Sequence, residues 1–235
     1  EGFSIREIAA SLEAAGLVQK EVFIARALDA ALVNSLGLEG HTLEGYLFPD
    51  TYAFNKGMSA DEMIARMVER FRKVFAEFEF EVETSGMSMR KIITLASIIE
   101  KETGAPSERP LISSVFHNRL KKGIKLQSDP TVIYGIPSFD GNIKKKHLAM
   151  KSPYNTYANF GLPPGPIASP GRDAIVAALR PAKTDYLYFV SKNDGTHQFS
   201  RSLNEHNLAV NRFQREMKIS KKVDSGEPGA GTAAQ

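Results

Sequence analysis

Residues 94–103 read Thr-Leu-Ala-Ser-Ile-Ile-Glu-Lys-Glu-Thr, an apolar run that ends in two glutamates. At helical spacing from Ser88, a residue type that often caps helices, the apolar side chains surround the axis almost completely. This pattern predicts a buried helix that starts after Ser88 and ends before Gly104. Other elements must cover it, so we expect it to lie at the core of the fold.

The two glutamates at the end of this helix should lie in different environments. Glu100 continues the apolar stripe, whereas Glu102 is about 200° away around the helix axis. A carboxyl group at the edge of a core is poorly solvated, which favours its neutral form and makes Glu100 a candidate proton donor near neutral pH. The alternative is structural: Glu100 pairs with Lys101, Arg109 or another cation and closes the helix.

The composition indicates a globular protein with a small net charge. The chain has 235 residues, 42% of them hydrophobic, which is enough for one large domain or a large domain with a small appendage. With 30 Lys and Arg against 27 Asp and Glu, the net charge is +3. The basic cluster at residues 144–147 lacks the interleaved aromatic side chains of a single-strand binder, so we predict no nucleic-acid partner.

Several kinds of site are disfavoured by the residue types present. Cysteine is absent, so disulfides, thiol nucleophiles and thiolate metal sites are excluded. The histidines are scattered, and the chain has neither a Gly-x-Ser-x-Gly elbow nor a phosphate-binding Gly-Lys-Ser/Thr motif. We therefore predict no metal site and no cofactor, and acid–base chemistry by carboxyl groups is the strongest catalytic candidate.

The remaining pattern predicts a mixed α+β fold. Capping boxes at Ser4, Ser59 and Ser202 begin helices, and residues 193–195, Asn-Asp-Gly, are typical of a β-hairpin turn. An aromatic segment predicts extended structure interrupted at a proline over residues 43–54, and a long Gly- and Pro-rich loop covers residues 135–171. The predicted helices cover residues 4–15, 21–36, 59–80, 108–122, 131–134, 171–179 and 202–219.

Two polar segments could form a binding wall. Residues 152–157 and 161–167 combine prolines with Tyr and Asn, whose flat faces and amide groups suit sugar rings and N-acetyl groups. A rigid structural loop is the alternative. Gln127 and Asp129 lie just before a predicted helical turn, where a capping role explains Asp129 but not Gln127.

Six blocks of sequence stand out when they are taken together. They are residues 43–52 (LEGYLFPDTY), 96–103 (ASIIEKET), 116–120 (FHNRL), 126–135 (LQSDPTVIYG), 154–157 (YNTY) and 161–167 (GLPPGPI). In this order they resemble the MltG (YceG-like) family of bacterial endolytic murein transglycosylases. The resemblance spans residues from Leu43 to about Arg212, and so many long blocks are far more specific than any single motif.

The resemblance implies a lyase that cuts nascent peptidoglycan strands internally, between N-acetylmuramic acid and N-acetylglucosamine, and leaves 1,6-anhydro ends. The family's catalytic glutamate corresponds to the first Glu of Glu-Lys-Glu-Thr, here Glu100, and Glu102 then anchors the helix end. One carboxyl group suffices because the nucleophile is a hydroxyl of the substrate, whereas ordinary glycosidases need two carboxylates. The residues expected to bind the sugars are Gln127, Ser128, Asp129, Thr131, Asn155, Thr156, Tyr157 and Pro163.

The resemblance also implies a domain organisation and a location. Residues 1–38 would be the remainder of a truncated LysM-like α/β subdomain, residues 39–220 the catalytic domain, and residues 221–235 a disordered tail. A single-pass anchor in the bacterial cytoplasmic membrane is expected but missing from this sequence, which begins with Glu1 rather than Met. The catalytic domain would act on the extracytoplasmic or periplasmic side, with peptidoglycan glycan strands as substrate and penicillin-binding proteins, the peptidoglycan synthases, as partners.

Two other functions remain open from the sequence. A muramidase would hydrolyse the same bond, with Asp129 or Glu44 activating water. A non-catalytic peptidoglycan-binding module, as a LysM-like segment alone would be, would leave the glycan uncut.

Overall fold

Three short helices begin the fold. The computed structural model describes residues 1–137 and 139–216, and its first helices are α1 (Ile5–Ala14), α2 (Lys20–Ala27) and α3 (Ala30–Ser35). Ser4 begins α1 through the predicted capping box. The prediction of a single helix over residues 21–36 is wrong, because this segment forms two helices, α2 and α3. The Asp29 carboxylate accepts a hydrogen bond from the Ala31 N–H and thereby caps the start of α3.

These N-terminal helices share one hydrophobic core with the following elements. α1 packs on α2, and α2 packs on α4 (Ala60–Ala76). Ile5, Phe23 and Val33 are buried in the same apolar cluster as the side chains of the later helices. A separate LysM-like subdomain is not confirmed, and the boundary at residue 38 stays a prediction.

The segment around α4 departs from the prediction in two places. The single helix predicted over residues 59–80 is shorter in the structure, because α4 ends at Ala76. The chain bends there to bury Phe78, and a separate helix, α5 (Glu79–Ser85), follows. Residues 43–54 form turns and irregular structure rather than a strand. Their aromatic side chains serve the core instead, since Tyr46 is fully buried and packs edge-on against Phe71 with ring centroids 5.2 Å apart.

Helix α6 (Met89–Glu102) is the predicted apolar helix, and it is buried on all sides. Every side chain from Ile92 to Ile99 is buried. The helices that pack on it are α7 (Arg109–Lys121), α8 (Asp129–Tyr134) and, after the short α9 (Lys145–Leu148), α10 (Arg172–Leu179). The two sides of its C-terminal end therefore meet different elements of the fold.

An antiparallel hairpin follows α10, as predicted. β1 (Tyr188–Ser191) pairs with β2 (His197–Ser200) in the register that sets Phe189 opposite Phe199. Gly195 in the connecting turn has a φ of 88°, a conformation that glycine adopts readily.

A last helix, α11 (Leu203–Val210), packs on both strands and continues into a π-helical turn, Asn211–Glu216. In the described residues, many helices with one small sheet make the fold α+β, which confirms the predicted class. The end of the helix predicted over residues 202–219 and the predicted tail, residues 221–235, lie outside the described residues. Within the described ranges, no helix is long and apolar enough to cross a membrane.

Candidate active site

A cleft of about 340 Å³ opens beside the C-terminal end of α6. Its walls come from the ends of α6 and α7, the segment that leads into α8, the long loop, and the hairpin with α11. Two carboxyl groups line it, together with cationic, amide and aromatic side chains. The groups important for chemistry are Glu102, Arg119, Gln127, Asp129, Tyr157 and Tyr188.

Glu102 is the last residue of α6, and its carboxyl group is strongly perturbed by the fold. Ser128 Oγ donates a hydrogen bond of 2.5 Å to Glu102 Oε1. Burial, and to a smaller degree the charge of Asp129, raises the pKa of Glu102 to about 7, although the Ser128 hydrogen bond and the Arg119 charge act in the opposite direction. Such a carboxyl group is present in both protonation states near neutral pH, as an acid–base catalyst requires.

A buried network of hydroxyl groups holds Ser128 against Glu102. The Ser128 N–H donates to Thr156 Oγ1 at 3.0 Å, and Thr131 Oγ1 donates to the Ser128 carbonyl at 2.7 Å. The two threonine hydroxyls lie 2.8 Å apart, and all three residues are almost fully buried. Ser128, Thr131 and Thr156 therefore support the Glu102 carboxyl group from behind the surface of the cleft.

Arg119, near the end of α7, organises the segment that carries Gln127. Its Nη1 atom donates to Gln127 Oε1 at 3.1 Å, and its Nε atom donates to the Leu187 carbonyl at 2.6 Å. Its guanidinium carbon lies 4.9 Å from the centre of the Tyr188 ring. Arg119 and Tyr188 line the cleft although they are not among the predicted site residues, and the 116–120 block is the only sequence signal for Arg119.

Three of the predicted residues, Gln127, Asp129 and Tyr157, line the cleft beside Glu102. Gln127 has a φ of 53°, a left-handed conformation that is uncommon for a residue with a side chain. The Tyr157 hydroxyl donates a hydrogen bond of 2.6 Å to Asp129 Oδ1. Burial together with this bond raises the pKa of Tyr157, so its hydroxyl stays protonated.

Asn155 and Pro163 were also predicted as sugar-binding residues, but they do not line this cleft. Asn155 is fully buried, and its amide donates to the carbonyl groups of Leu148 and Met150 at 3.0 and 2.8 Å. It therefore shapes the loop that carries Tyr157. Pro163 lines a different cavity.

Glu100 lies outside the cleft, and the fold uses both of its carboxyl oxygens. Oε1 accepts a hydrogen bond of 3.0 Å from Arg109 Nη2, and Oε2 accepts the Gly171 N–H at 2.9 Å. The side chains of Glu100 and Arg109 are only 6% and 9% exposed. The structure thus shows the ion pair that the sequence left as an alternative for Glu100, whereas Glu102, predicted to anchor the helix end, lines the cleft.

Glu44, one of the carboxyl groups considered for activating water, lines a separate cavity of about 540 Å³ beside α1, α2 and α8. Its two oxygens accept the Ile5 N–H and the Tyr134 hydroxyl, both at 3.0 Å. Burial raises the pKa of Glu44 to about 7. Because Glu44 does not line the Glu102 cleft, Asp129 is the second carboxyl group available beside Glu102.

An acid with a pKa near 7 in a polar cleft, carried by a helix-rich α+β scaffold, is typical of an acid–base enzyme site. The family model of the YceG-like family matches residues 1–212. The chain therefore belongs to the YceG-like family, and the resemblance seen in the six sequence blocks is confirmed.

Known relatives extend this comparison. The chain is 39% identical over 228 residues to the endolytic murein transglycosylase of Bacillus subtilis (strain 168). This alignment covers 91% of this chain and 63% of that protein. It is 32% identical over 205 residues to the endolytic murein transglycosylase of Streptococcus pneumoniae serotype 2 (strain D39 / NCTC 7466). This alignment covers 82% of this chain and 37% of that protein. The chain thus spans less than two thirds of the length of either relative.

A solved structure shows the same fold. The 2.6 Å crystal structure of a putative yceG-like protein from Listeria monocytogenes matches with a TM-score of 0.82 and 38% sequence identity. The match covers 88% of this chain and 73% of that one.

Proposed function

We propose that this chain is the catalytic part of an endolytic lytic transglycosylase of peptidoglycan, and that Glu102 is its acid–base residue. Two similar proteins are named endolytic murein transglycosylases. The observation that carries the proposal is the Glu102 carboxyl group, whose pKa of about 7 and place in the cleft suit proton transfer at neutral pH.

The contacts of the two glutamates favour Glu102 over Glu100, the residue that the sequence resemblance implies. Both oxygens of Glu100 are bound, one by Arg109 and one by Gly171, and its side chain is nearly inaccessible. Within the described residues, the sole hydrogen-bond donor to Glu102 is Ser128. One oxygen of Glu102 is therefore left for the substrate.

Glu102 acts first as an acid in this proposal. Its protonated carboxyl group donates a proton to the glycosidic oxygen between N-acetylmuramic acid and N-acetylglucosamine as the bond from that oxygen to muramic C1 breaks. Positive charge develops at C1, and the Asp129 carboxylate in the same cleft stabilises it. The N-acetylglucosamine part leaves with its new hydroxyl group.

The carboxylate that remains on Glu102 then acts as a base. It accepts the proton of the muramic C6 hydroxyl, whose oxygen bonds to C1 and closes the 1,6-anhydro ring. Glu102 returns to its protonated form, and no water is consumed, so the reaction is that of a lyase. The substrate supplies its own well-placed nucleophile, so the reaction requires no cofactor and no second catalytic carboxylate.

Seven of the eight predicted sugar-binding residues divide into two groups under this proposal, and Pro163, which lines a different cavity, belongs to neither. Gln127, Asp129 and Tyr157 line the cleft and contact the sugars. A second group holds these side chains and Glu102 in position through buried hydrogen bonds, and its members are Ser128, Thr131, Asn155 and Thr156.

The resemblance also supports a wider setting for this activity. We infer that the site acts on nascent glycan strands at the extracytoplasmic face of the bacterial cytoplasmic membrane, that a single-pass anchor holds the whole protein there, and that penicillin-binding proteins are its partners. Residues 1–38 are, on the same ground, the remainder of a LysM-like unit. Membrane fractionation of cells that contain the whole protein, followed by co-purification of the synthases, tests the location and the partnership.

Product analysis tests the reaction itself. Digestion of uncrosslinked glycan strands with the wild-type protein should release 1,6-anhydromuramic ends, which mass spectrometry distinguishes from reducing ends by the loss of one water. Reducing muramic ends would instead show a muramidase, with Asp129 activating water in the same cleft. Uncut strands would show a binding module without catalysis.

A further inference from the structure

A second large cavity lies on the other side of the last turn of α7. Arg119 and Lys121 are two residues apart on this helix, which places them about 200° apart around its axis. Arg119 lines the Glu102 cleft, whereas Lys121 lines a cavity of about 730 Å³. We call it the Arg90 cavity, and the residues that define it are Glu39, Arg90, Lys91, His117, Lys121 and Pro163.

Arg90 makes one wall of this cavity rigid. Its Nε atom donates to the Pro164 carbonyl at 3.1 Å, and its Nη1 atom donates to the Glu39 carbonyl at 2.8 Å. A Cβ atom at Gly40 or Gly165 would collide with its guanidinium group, so both glycines are needed for this arrangement. Residues 162–164 of the 161–167 block, predicted as a sugar-binding wall, therefore line the Arg90 cavity and not the Glu102 cleft.

The charged groups of the Arg90 cavity are mainly positive. Arg90, Lys91 and Lys121 contribute three cations, and Glu39 contributes one carboxylate. Lys91 and Lys121 are exposed, and within the described residues neither forms an ion pair with a carboxylate. The cavity thus has charge complementarity for an anion, and the described part of the fold does not supply one to these lysines.

We propose that the Arg90 cavity binds the carboxylate-bearing stem peptide that branches from muramic acid on the glycan strand. The inference rests on the proposed function, because the proposed substrate is what carries this peptide. Five extended residues, the length of a pentapeptide, reach up to about 18 Å, which exceeds the roughly 16 Å path halfway around a helix about 10 Å in diameter. A stem peptide is therefore long enough to pass the last turn of α7 while its muramic acid lies in the Glu102 cleft.

Stem-peptide binding makes peptide-bearing strands better substrates than strands from which the peptides have been removed. The side chains of Lys91 and Lys121 are exposed, so each contributes modestly, and added salt weakens both contacts by screening. Removal of both lysines should weaken peptide binding by about tenfold.

Calorimetric titration with a synthetic, carboxylate-bearing muramyl pentapeptide tests this site directly. The double variant Lys91→Ala/Lys121→Ala should bind about tenfold more weakly than the wild type, and amidation of the peptide carboxyl groups should weaken wild-type binding similarly. Lys122→Ala is the matched control, because Lys122 is the next exposed lysine of the same helix end and does not line the cavity. Equal affinity in the double variant, or no binding by the wild type, overturns the proposal.

Cleavage kinetics separate this inference from the proposed function. The ratio of kcat/KM for peptide-bearing strands to kcat/KM for peptide-free strands should exceed one in the wild type and in Lys122→Ala, and it should fall about tenfold in the double variant. If the wild type cuts neither substrate but binds the peptide through the two lysines, the proposed function fails and the peptide site stands. If both substrates are cut and the double variant leaves the ratio unchanged, the peptide site fails and the proposed function stands.

Discussion

Glu100 and Glu102 end the same helix two residues apart, yet the fold surrounds them differently. On one side of α6, the guanidinium group of Arg109 binds Glu100 and shuts it away from solvent. On the other side, the hydroxyl group of Ser128 binds Glu102, and burial raises its pKa to about 7. A cation beside one carboxyl group and a neutral hydroxyl group beside the other therefore distinguish these two glutamates.

Glu44 shows that a raised pKa alone does not identify a site. Its pKa is also raised to about 7 by burial. Both of its oxygens are bound by the backbone of Ile5 and the hydroxyl of Tyr134, so it joins α1 to α8. Glu102 differs because it lines a polar cleft and keeps one oxygen without a protein donor in the described structure.

The largest expected effect is on the activity of Glu102→Gln. The variant cannot donate or accept the proton, so its kcat should fall by about 1000-fold, since acid–base transfer contributes about 10²- to 10⁴-fold. The rate of formation of anhydro ends measures this.

The stability of Glu102→Gln provides the control. The pKa of Glu102 is raised in the folded state, so the folded wild type binds a proton that the unfolded chain releases between about pH 4.5 and 7. The stability of the wild type therefore falls as the pH rises through this range, whereas glutamine does not titrate and the stability of the variant does not fall for this reason. At pH 8 the variant should unfold at a temperature no lower than the wild type. Cleavage at the wild-type rate would show that Glu102 is not the acid.

A smaller effect, on stability rather than activity, is expected for Glu100→Gln. The change removes the closest and, in the described structure, only buried carboxylate of Arg109 and leaves it the exposed Glu1 and Asp173 at 4.0 and 3.8 Å. This should lower the free energy of unfolding by about 3 kcal/mol. Denaturant unfolding measures this, and kcat of the folded variant should stay within severalfold of the wild type.

Glu77→Gln is the matched control for this variant. It breaks an ion pair with Arg172 at the surface, where both side chains are about half exposed, and such a loss costs less than about 1 kcal/mol. A folded Glu100→Gln protein without activity, beside an active Glu102→Gln protein, would reverse the roles of the two glutamates.

The smallest expected effect is a shift in pH dependence for Ser128→Ala. Loss of the Ser128 hydroxyl removes a donor to the Glu102 carboxylate, so the pKa of Glu102 rises further. Because the protonated form starts the reaction, kcat/KM falls above this pKa, and the fall should move to higher pH by about one unit. Ser35→Ala, which removes an exposed hydroxyl elsewhere, should leave the profile in place. A lower rate with an unmoved profile would show that Ser128 has a structural role alone.

Local signals in the sequence predicted most of the elements. Capping boxes and turn residues marked the starts of α1, α4 and α11 and the hairpin, because these signals act within a few residues. Two helices were predicted too long. The first is interrupted because Asp29 caps a new helix, and the second because Phe78 is buried in the core. Local periodicity shows neither which residue will act as a cap nor which side chain the tertiary fold will bury.

The site was predicted in part. Gln127, Asp129 and Tyr157, which were predicted from polar segments and from the sequence blocks of the resemblance, line the candidate cleft. Arg119 and Tyr188 were missed, because they come from a helix end and a strand that meet the cleft only after folding. Nothing in the periodicity of either element marks it as a cleft wall.

The sequence by itself determined the family, the central buried helix and the separation of its two acids onto different sides. Only the tertiary structure decided which acid meets a cation and which meets a hydroxyl group. The carboxyl groups respond to neighbours within a few ångströms, and those neighbours, Arg109, Ser128 and Gly171, lie 9, 26 and 71 residues away from them along the chain. A helical wheel gives the directions of side chains, but the environment in each direction is set by the packing of distant segments.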